Sequence, residues 1–202
     1  MSDPTPRPSV GTPKRSRLRR LRRWLFAPAV IAGLAVALQL TTPSGSGGHA
    51  TTAGSSFIPG GGTAPAFTLS DLEHTSARLT LAAFRGRPVI VNFWASWCTP
   101  CRKEMPLIEA TYRHLSSRIA FVGIDSNDTR SAAVAFAHEV GVSYPLAYDP
   151  GGSVASGYGL LGLPTTVFVD ANGRIVGREL GQLDPAGLQL ALQKLGVAAA
   201  KP

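Results

Sequence analysis

The chain is poor in cysteine, because its 202 residues contain only Cys98 and Cys101. Two cysteines in a C-x-x-C run close a very short ring, which constrains the unfolded chain little, so a structural disulfide framework is excluded. Zinc needs further ligands, and the histidines show no paired spacing, so we expect no metal site. These are His49, His74, His114 and His138. The spacing of the two thiols instead favours redox exchange.

Acidic residues are nearly missing from the N-terminus. Residues 1–23 contain eight of the 20 Lys and Arg residues, and Asp3 is their single acid. The rest of the chain has 12 basic and 11 acidic residues. The pI of about 10.2 therefore describes a basic tail. Nucleic-acid binding, which needs basic residues spread over a folded face, is not expected.

Charge of either sign is missing from Trp24 to Ser70, and residues 25–40 form an apolar run. As a helix this run would rise about 24 Å, a little less than the hydrocarbon core of a bilayer. We predict a cytoplasmic basic segment over 1–23 and a signal anchor or transmembrane helix over 24–42. The rest of this single-pass cell-membrane protein would then be extracytoplasmic. The alternative is a cleaved signal peptide and a secreted protein.

A stretch rich in Gly, Ser, Thr and Pro follows, and it predicts a flexible linker over residues 43–63. The folded domain is predicted over 64–198. Within it, strand-like and helix-like segments alternate, which predicts an α/β sandwich with a central sheet. The predicted strands are 67–69, 77–81, 88–94, 119–124, 144–147 (at a sheet edge), 165–170 and 174–179. The predicted helices are 98–116, 130–140, 153–158 and 185–195.

Two motifs carry a family resemblance. Residues 84–106 read FRGRPVIVNFWASWCTPCRKEMP, and residues 162–166 read GLPTT. Together they closely resemble the membrane-tethered thioredoxin-like reductases of the TlpA/ResA type, which are related to the AhpC/TSA proteins. The resemblance implies a thioredoxin-like three-layer sandwich with a central mixed β-sheet, an N-terminal hairpin extension and a central α/β insertion.

The C-x-x-C run is the predicted catalytic centre. At the start of a helix, the amide groups and the helix dipole would stabilise a Cys98 thiolate, which makes Cys98 the nucleophile. Cys101, one turn inside, would be the resolving thiol. Thr99 and Pro100 would tune the reduction potential. We expect no cofactor beyond the Cys98–Cys101 disulfide.

The resemblance implies further site residues. Pro164 would follow a cis peptide bond and lie against the cysteines, where its backbone, with Leu163 and Trp97, would contact an incoming peptide. Glu104 would accept a proton near the cysteines, although it also reads as an ordinary acid in the first helical turn. Asn92 stands where thioredoxins have a buried Asp, and an amide cannot take a thiol proton. That departure favours Glu104, or water, as the acceptor.

The predicted function is an extracytoplasmic thiol–disulfide oxidoreductase. The resemblance implies a monomeric, membrane-anchored reductant of protein disulfides that acts on apocytochrome c or copper-assembly proteins and takes electrons from a membrane donor. One alternative is an oxidase that forms disulfides. Another is a non-enzymatic Cu(I) carrier that uses the two sulfurs as soft ligands. A peroxiredoxin is disfavoured, because its Pro-x-x-x-Thr-x-x-Cys pattern is missing around either cysteine.

Overall fold

The computed structural model describes residues 56–197. The predicted basic segment 1–23, the predicted membrane segment 24–42 and residues 43–55 of the predicted linker lie outside this range. The strands are β1 Phe57–Pro59, β2 Thr68–Asp71, β3 Arg78–Thr80, β4 Val89–Trp94, β5 Ala120–Ser126, β6 Leu146–Asp149, β7 Thr165–Val169 and β8 Ile175–Leu180. The helices are α1 Thr99–Leu115, α2 Arg130–Val140, α3 Ser153–Gly157 and α4 Pro185–Lys194, with a 3-10 turn at Leu81–Phe84. Among residues 56–197, none of the helices has the length and apolar character needed to span a bilayer.

The strands form one mixed sheet in the order β1-β8-β7-β4-β5-β6-β2-β3. Strands β4, β5 and β6 are parallel, and the other pairs are antiparallel. Helices α1, α2 and α4 pack on one face, and α3 with the segment around Phe67 packs on the other. This confirms the predicted three-layer α/β sandwich with a central mixed sheet, and β2–β3 form the expected N-terminal hairpin.

Strands β4 and β5 are buried at every residue. Helices or loops cover both of their faces, as is usual for parallel strands, which explains why β4 reads as a nearly continuous apolar run. The exception in β4 is Asn92, whose side chain is 1% exposed and faces α1. A buried amide needs hydrogen-bond partners, so Asn92 marks a polar site beneath that helix.

The helix termini follow local capping rules. Thr129 accepts from the backbone N–H of Ala132 at the start of α2, and Asp184 accepts from that of Gly187 at the start of α4. Helix α2 ends at Gly141, whose φ of 75° is the left-handed conformation that glycine adopts without strain. These caps fix where the two helices begin next to the sheet.

The strand predicted over 144–147 is displaced and is not at an edge. Strand β6 begins at Leu146, directly after Pro145, and pairs with β5 on one side. Strand β2 pairs with its other side through Ser70 and Asp71. The prediction was wrong because the N-terminal hairpin, which is distant in sequence, covers the free side of β6.

The predicted linker extends too far into the folded domain. Phe57–Pro59 form β1 and pair with Gly177–Glu179 of β8. The Phe57 ring stacks on Phe168 with a centroid distance of 6.0 Å. Gly177 makes room for the ring, since a Cβ there would lie 1.9 Å from a Phe57 ring carbon. Composition favoured a linker because three-residue strands carry little periodicity of their own.

A Phe57→Ala variant tests this edge strand. We expect the free energy of unfolding to fall by about 2 kcal/mol, because a half-buried aromatic ring leaves the core. Urea titration followed by circular dichroism measures the change. The matched control is Ile58→Ala in the same strand, where a side chain that is 48% exposed should change stability by less than about 0.5 kcal/mol. A fall for Phe57→Ala no larger than the fall for Ile58→Ala would show that packing of the Phe57 ring does not stabilise the domain.

Candidate redox site

The two cysteines lie where β4 leads into α1. Cys98 is the N-cap of α1, with an extended backbone (φ −87°, ψ 99°), and its Sγ accepts from the backbone N–H of Cys101 at 3.3 Å. The cysteines form a disulfide, with their Cα atoms 5.3 Å apart. An N-cap position puts the sulfur against unsatisfied amide groups and the positive end of the helix dipole. Both features stabilise a thiolate on Cys98 once the disulfide is reduced.

The two sulfurs differ in access. Cys98 is 4% exposed, whereas Cys101, in the first turn of α1, is fully buried. Thr99 and Pro100, the first two residues of α1, are exposed beside them. The predicted roles, with Cys98 as the nucleophile and Cys101 as the resolving thiol, are therefore consistent with Cys98 being the more accessible of the two. The effect of Thr99 and Pro100 on the reduction potential stays a prediction.

The proline loop lies at the same end of the sheet. The Leu163–Pro164 peptide bond is cis, as the resemblance implied. Thr165 pairs with Phe93 across β7 and β4, so Pro164 lies beside the carboxyl end of β4. The Pro164 carbonyl accepts from the backbone N–H of Gly181 at 3.0 Å, and proline has no N–H. That the Leu163 backbone contacts an incoming peptide stays a prediction.

A groove of about 250 Å³ is lined by Trp97, the residue before Cys98, and by residues 160–163, which precede Pro164. Its apolar walls include Trp97, Leu160, Leu161 and Leu163. Trp97 is 62% exposed and Leu161 is 91% exposed, which is unusual for side chains of this size. Trp97 and Leu163 were predicted to contact substrate, and the structure brings them together. Leu161 was not predicted, because nothing in a loop sequence shows which way its side chains face.

Glu104 lies one turn after Cys101 on the buried side of α1 and is fully enclosed. Its Oε1 accepts from Asn92 Nδ2 at 2.7 Å, and its Oε2 accepts from the backbone N–H of Leu183 at 2.6 Å. Burial raises the pKa of Glu104 to about 7, although these two hydrogen bonds lower it; the charge of Glu179 raises it further. A carboxyl group with a pKa near 7 can both take and return a proton at neutral pH.

A polar row crosses the sheet beneath this carboxyl group. Asn92 pairs in register with Thr166, and Thr166 pairs with Glu179. Asn92 Nδ2 also donates to Thr166 Oγ1 at 3.0 Å, and both Thr166 and Glu179 are buried. Sequence reasoning found Asn92 but missed Thr166 and Glu179. The sequence did contain a signal for Glu179: buried and less buried residues alternate along β8, and Glu179 is an acid at one of the buried positions.

Asp125 lies inside β5, fully buried, and pairs in register with Trp94 of β4. Asp170 follows β7 and accepts from two backbone N–H groups of the turn before β8. Within residues 56–197, no group of three or more His, Cys, Asp or Glu side chains is arranged to hold a metal ion.

Comparison with known proteins gives one family. Residues 59–192 match the family described as Redoxin. The thiol-disulfide oxidoreductase ResA of Bacillus subtilis (strain 168) is 30% identical over 160 residues, which cover 79% of this chain and 86% of the relative. The ResA protein of Bacillus anthracis is 32% identical over 133 residues, covering 65% of this chain and 76% of the relative.

Solved structures with the same fold include two that bear on this site. A secreted thiol-disulfide isomerase from Corynebacterium glutamicum is 25% identical and superimposes with a TM-score of 0.64, covering 71% of this chain and 93% of that one. The thioredoxin domain of a thiol-disulfide oxidoreductase from Bacteroides vulgatus is 26% identical, with a TM-score of 0.59 and coverages of 68% and 97%. Both support the thioredoxin-like fold implied by the sequence motifs.

Proposed function

Because the chain belongs to the Redoxin family and is a thiol–disulfide oxidoreductase of the ResA type, we propose that it reduces disulfides of partner proteins outside the cytoplasm. The proposed partners are apocytochrome c or copper-assembly proteins, as the TlpA/ResA resemblance implies. The observation that carries the proposal is the Cys98–Cys101 disulfide at the start of α1, with Glu104 buried one turn behind it. The exposed apolar groove beside Trp97 suits a polypeptide substrate.

Reduction takes two displacement steps. The Cys98 thiolate attacks one sulfur of the partner disulfide, a mixed disulfide forms, and the other partner sulfur leaves as a thiolate. Cys101 then attacks Cys98 Sγ, which closes the Cys98–Cys101 disulfide and releases the second partner thiolate. Two electrons pass from the dithiol to the partner, and the partner thiolates take up protons. A membrane donor returns the two electrons to the Cys98–Cys101 pair.

Cys101 must lose its proton before it can attack, because the thiolate is the nucleophile. Its sulfur lies inside the domain, away from bulk water. Glu104 is the titratable group held one helical turn away, and the hydrogen bonds from Asn92 and Leu183 aim its carboxylate. In this mechanism Glu104 accepts the Cys101 proton, directly or through a water molecule, and releases it after the partner has left.

The extracytoplasmic location is supported by two observations outside the site. Residues 1–23 are strongly basic and precede an apolar run, which is the charge pattern of a segment that stays in the cytoplasm. A structural relative from Corynebacterium glutamicum is described as secreted. We propose a single-pass cell-membrane protein with the redox domain outside, or a secreted domain if the apolar segment is cleaved.

A Cys101→Ala variant tests the proposal. Without a resolving thiol, the mixed disulfide on Cys98 should persist, and extracytoplasmic partner proteins should be recovered as covalent adducts that dithiothreitol releases. The control is the double variant Cys98→Ala, Cys101→Ala, which should form none. Non-reducing electrophoresis with mass spectrometry identifies the adducts. If the single variant traps nothing above this control, the mechanism is wrong.

The direction of transfer needs its own measurement. A reductant should be mainly reduced in cells and have a potential near that of thioredoxin, about −270 mV. Equilibration with glutathione or dithiothreitol buffers gives the potential, and acid-quenched alkylation gives the state in cells. Mainly oxidised protein with a potential near −120 mV would identify an oxidase. Stoichiometric Cu(I) in anaerobically purified protein without reductase activity would identify a carrier.

A further inference from the structure

The segment between α3 and β7 exposes one apolar side chain and buries those around it. Leu161 is 91% exposed, whereas Leu160 and Leu163 are partly buried and pack against the core. A single exposed leucine needs no explanation. Leu161, however, lines the same groove as Trp97, which is 62% exposed and directly precedes Cys98. Two large apolar side chains are therefore exposed in one groove beside the nucleophile.

Hydrogen bonds hold the backbone on both sides of Leu161. Before it, Arg178 Nη1 of β8 donates to the Tyr158 carbonyl at 2.6 Å. After it, Thr165 Oγ1 donates to the Gly162 carbonyl at 2.8 Å. Because the chain is held at both points, Leu161 cannot turn into the core unless one of these bonds breaks. The exposure of this side chain is thus a property of the loop conformation.

The Trp97 side of the groove is held as well. Trp97 Nε1 donates to the Asn127 carbonyl at 3.2 Å, which satisfies the one polar atom of the indole. Among the described residues, those that line the groove carry no charge, and besides the apolar ones named they are Gly, Ala, Ser and Asn. A charged side chain entering the groove would lose its water without gaining a partner, whereas burial would stabilise an apolar one.

We propose that Leu161 is a specificity-determining residue, which together with Trp97 contacts a large apolar side chain next to the reacting cysteine of a partner polypeptide. Arg178 is a positioning residue, since it acts only through the loop that carries Leu161. The inference rests on the proposed exchange with partner polypeptides and names the chemistry that this exchange selects. It does not depend on the direction of electron transfer, because the same residues flank the partner cysteines in both redox states.

Two peptide disulfides that differ only in the residue next to one cysteine, leucine or serine, test this inference. The full-length chain is reduced in detergent, and stopped-flow kinetics gives the rate constant for its reaction with each peptide. We expect the wild type to react about tenfold faster with the leucine peptide, because part of one apolar side chain is buried in the groove. Leu161→Ser should remove that preference by slowing the leucine peptide, and Leu161→Met should keep most of it.

The control is Ile58→Ser, which changes an exposed apolar side chain of β1 and should keep the wild-type preference. Equal wild-type rates on the two peptides, or an equal fall on both in Leu161→Ser, overturn the inference. A wild-type dimer that Leu161→Ser converts to a monomer with its preference intact, seen by light scattering, also overturns it, because a second copy would then occupy the groove. A wild type that reduces neither peptide would refute the proposed function itself, and the inference with it.

The same two peptides test the role of Arg178. Arg178→Met removes the donor to the Tyr158 carbonyl, so the loop should no longer hold Leu161, and the preference for the leucine peptide should fall about fivefold. Arg178→Lys keeps a charged donor and should restore most of the preference. Arg174→Met, which changes an exposed arginine just before β8, should leave it intact. A purely structural role would slow both peptides equally; that result, or a full preference in Arg178→Met, contradicts the positioning role.

Discussion

A Cys98→Ser variant should lose disulfide exchange, with the rate constant for reduction of a peptide disulfide falling at least about a thousandfold. The reason is positional as well as chemical. Cys98 is the N-cap of α1, where amide groups and the helix dipole stabilise a thiolate. Cys101 is fully buried, and its backbone N–H donates to Cys98 Sγ. The Cys101 sulfur therefore cannot reach a partner disulfide. A serine hydroxyl at position 98 is not ionised near neutral pH.

The companion variant Cys101→Ser should behave differently. Its Cys98 keeps the N-cap position, so the first attack should proceed, and the protein should stop as a one-to-one mixed disulfide. Stopped-flow kinetics with mass spectrometry of the product separates the two steps. Ser96→Ala is a suitable control, because the hydrogen bond of Ser96 to Asp128 uses the Ser96 backbone N–H. A first attack that persists in Cys98→Ser and is lost in Cys101→Ser would reverse the assigned roles.

The parts of the site that the sequence predicted are local in the chain. The two thiols, the helix start and Glu104 fall within residues 98–104, and one helical turn relates Cys101 to Glu104. Pro164 was identified differently, through the resemblance of the GLPTT motif at residues 162–166 to the family's proline loop. Spacing along one element translates directly into geometry, so the two cysteines and Glu104 could be placed before the fold was known.

The parts that were missed depend on pairing between distant segments. Thr166 and Glu179 join the Glu104 site only through the register of β7 with β4 and β8. Strand β1 was missed because its pairing with β8 involves three residues of low periodicity.

Replacing Glu104 with glutamine should lower the exchange rate at pH 8 by about a hundredfold, because Cys101 loses its proton acceptor. In the wild type the resolving step should speed up as pH rises through about 7, where Glu104 ionises. The variant should lack that rise. Single-turnover release of the partner from a preformed mixed disulfide, followed from pH 5 to pH 9, measures the step. An unchanged midpoint near pH 7 in Glu104→Gln would assign the proton transfer to another group.

The same substitution should make the oxidised protein more stable at high pH. The folded-state pKa of Glu104 is raised, so its contribution to stability is complete below its ordinary pKa of 4.5 and is lost as pH rises to about 7. That loss amounts to about 3 kcal/mol at pH 8. Glutamine avoids it but satisfies one fewer of the Asn92 and Leu183 donors, at about 1 kcal/mol. Chemical unfolding of the oxidised variant at pH 8 should therefore show a gain of about 2 kcal/mol.

Glu109→Gln is the matched control, since Glu109 is a second buried glutamate of α1 with the opposite electrostatic environment. Burial raises its pKa, but hydrogen bonds from Ser143 and the charge of Arg113 lower it more, so the net shift is downward. Its stabilising effect is present above its ordinary pKa and is lost in acid. Glu109→Gln should therefore destabilise the protein at pH 8 and leave the pH profile of exchange unchanged. A slower but more stable Glu104→Gln beside a less stable but fully active Glu109→Gln separates proton transfer from packing. If both variants lose activity and stability together, Glu104 contributes to the fold alone.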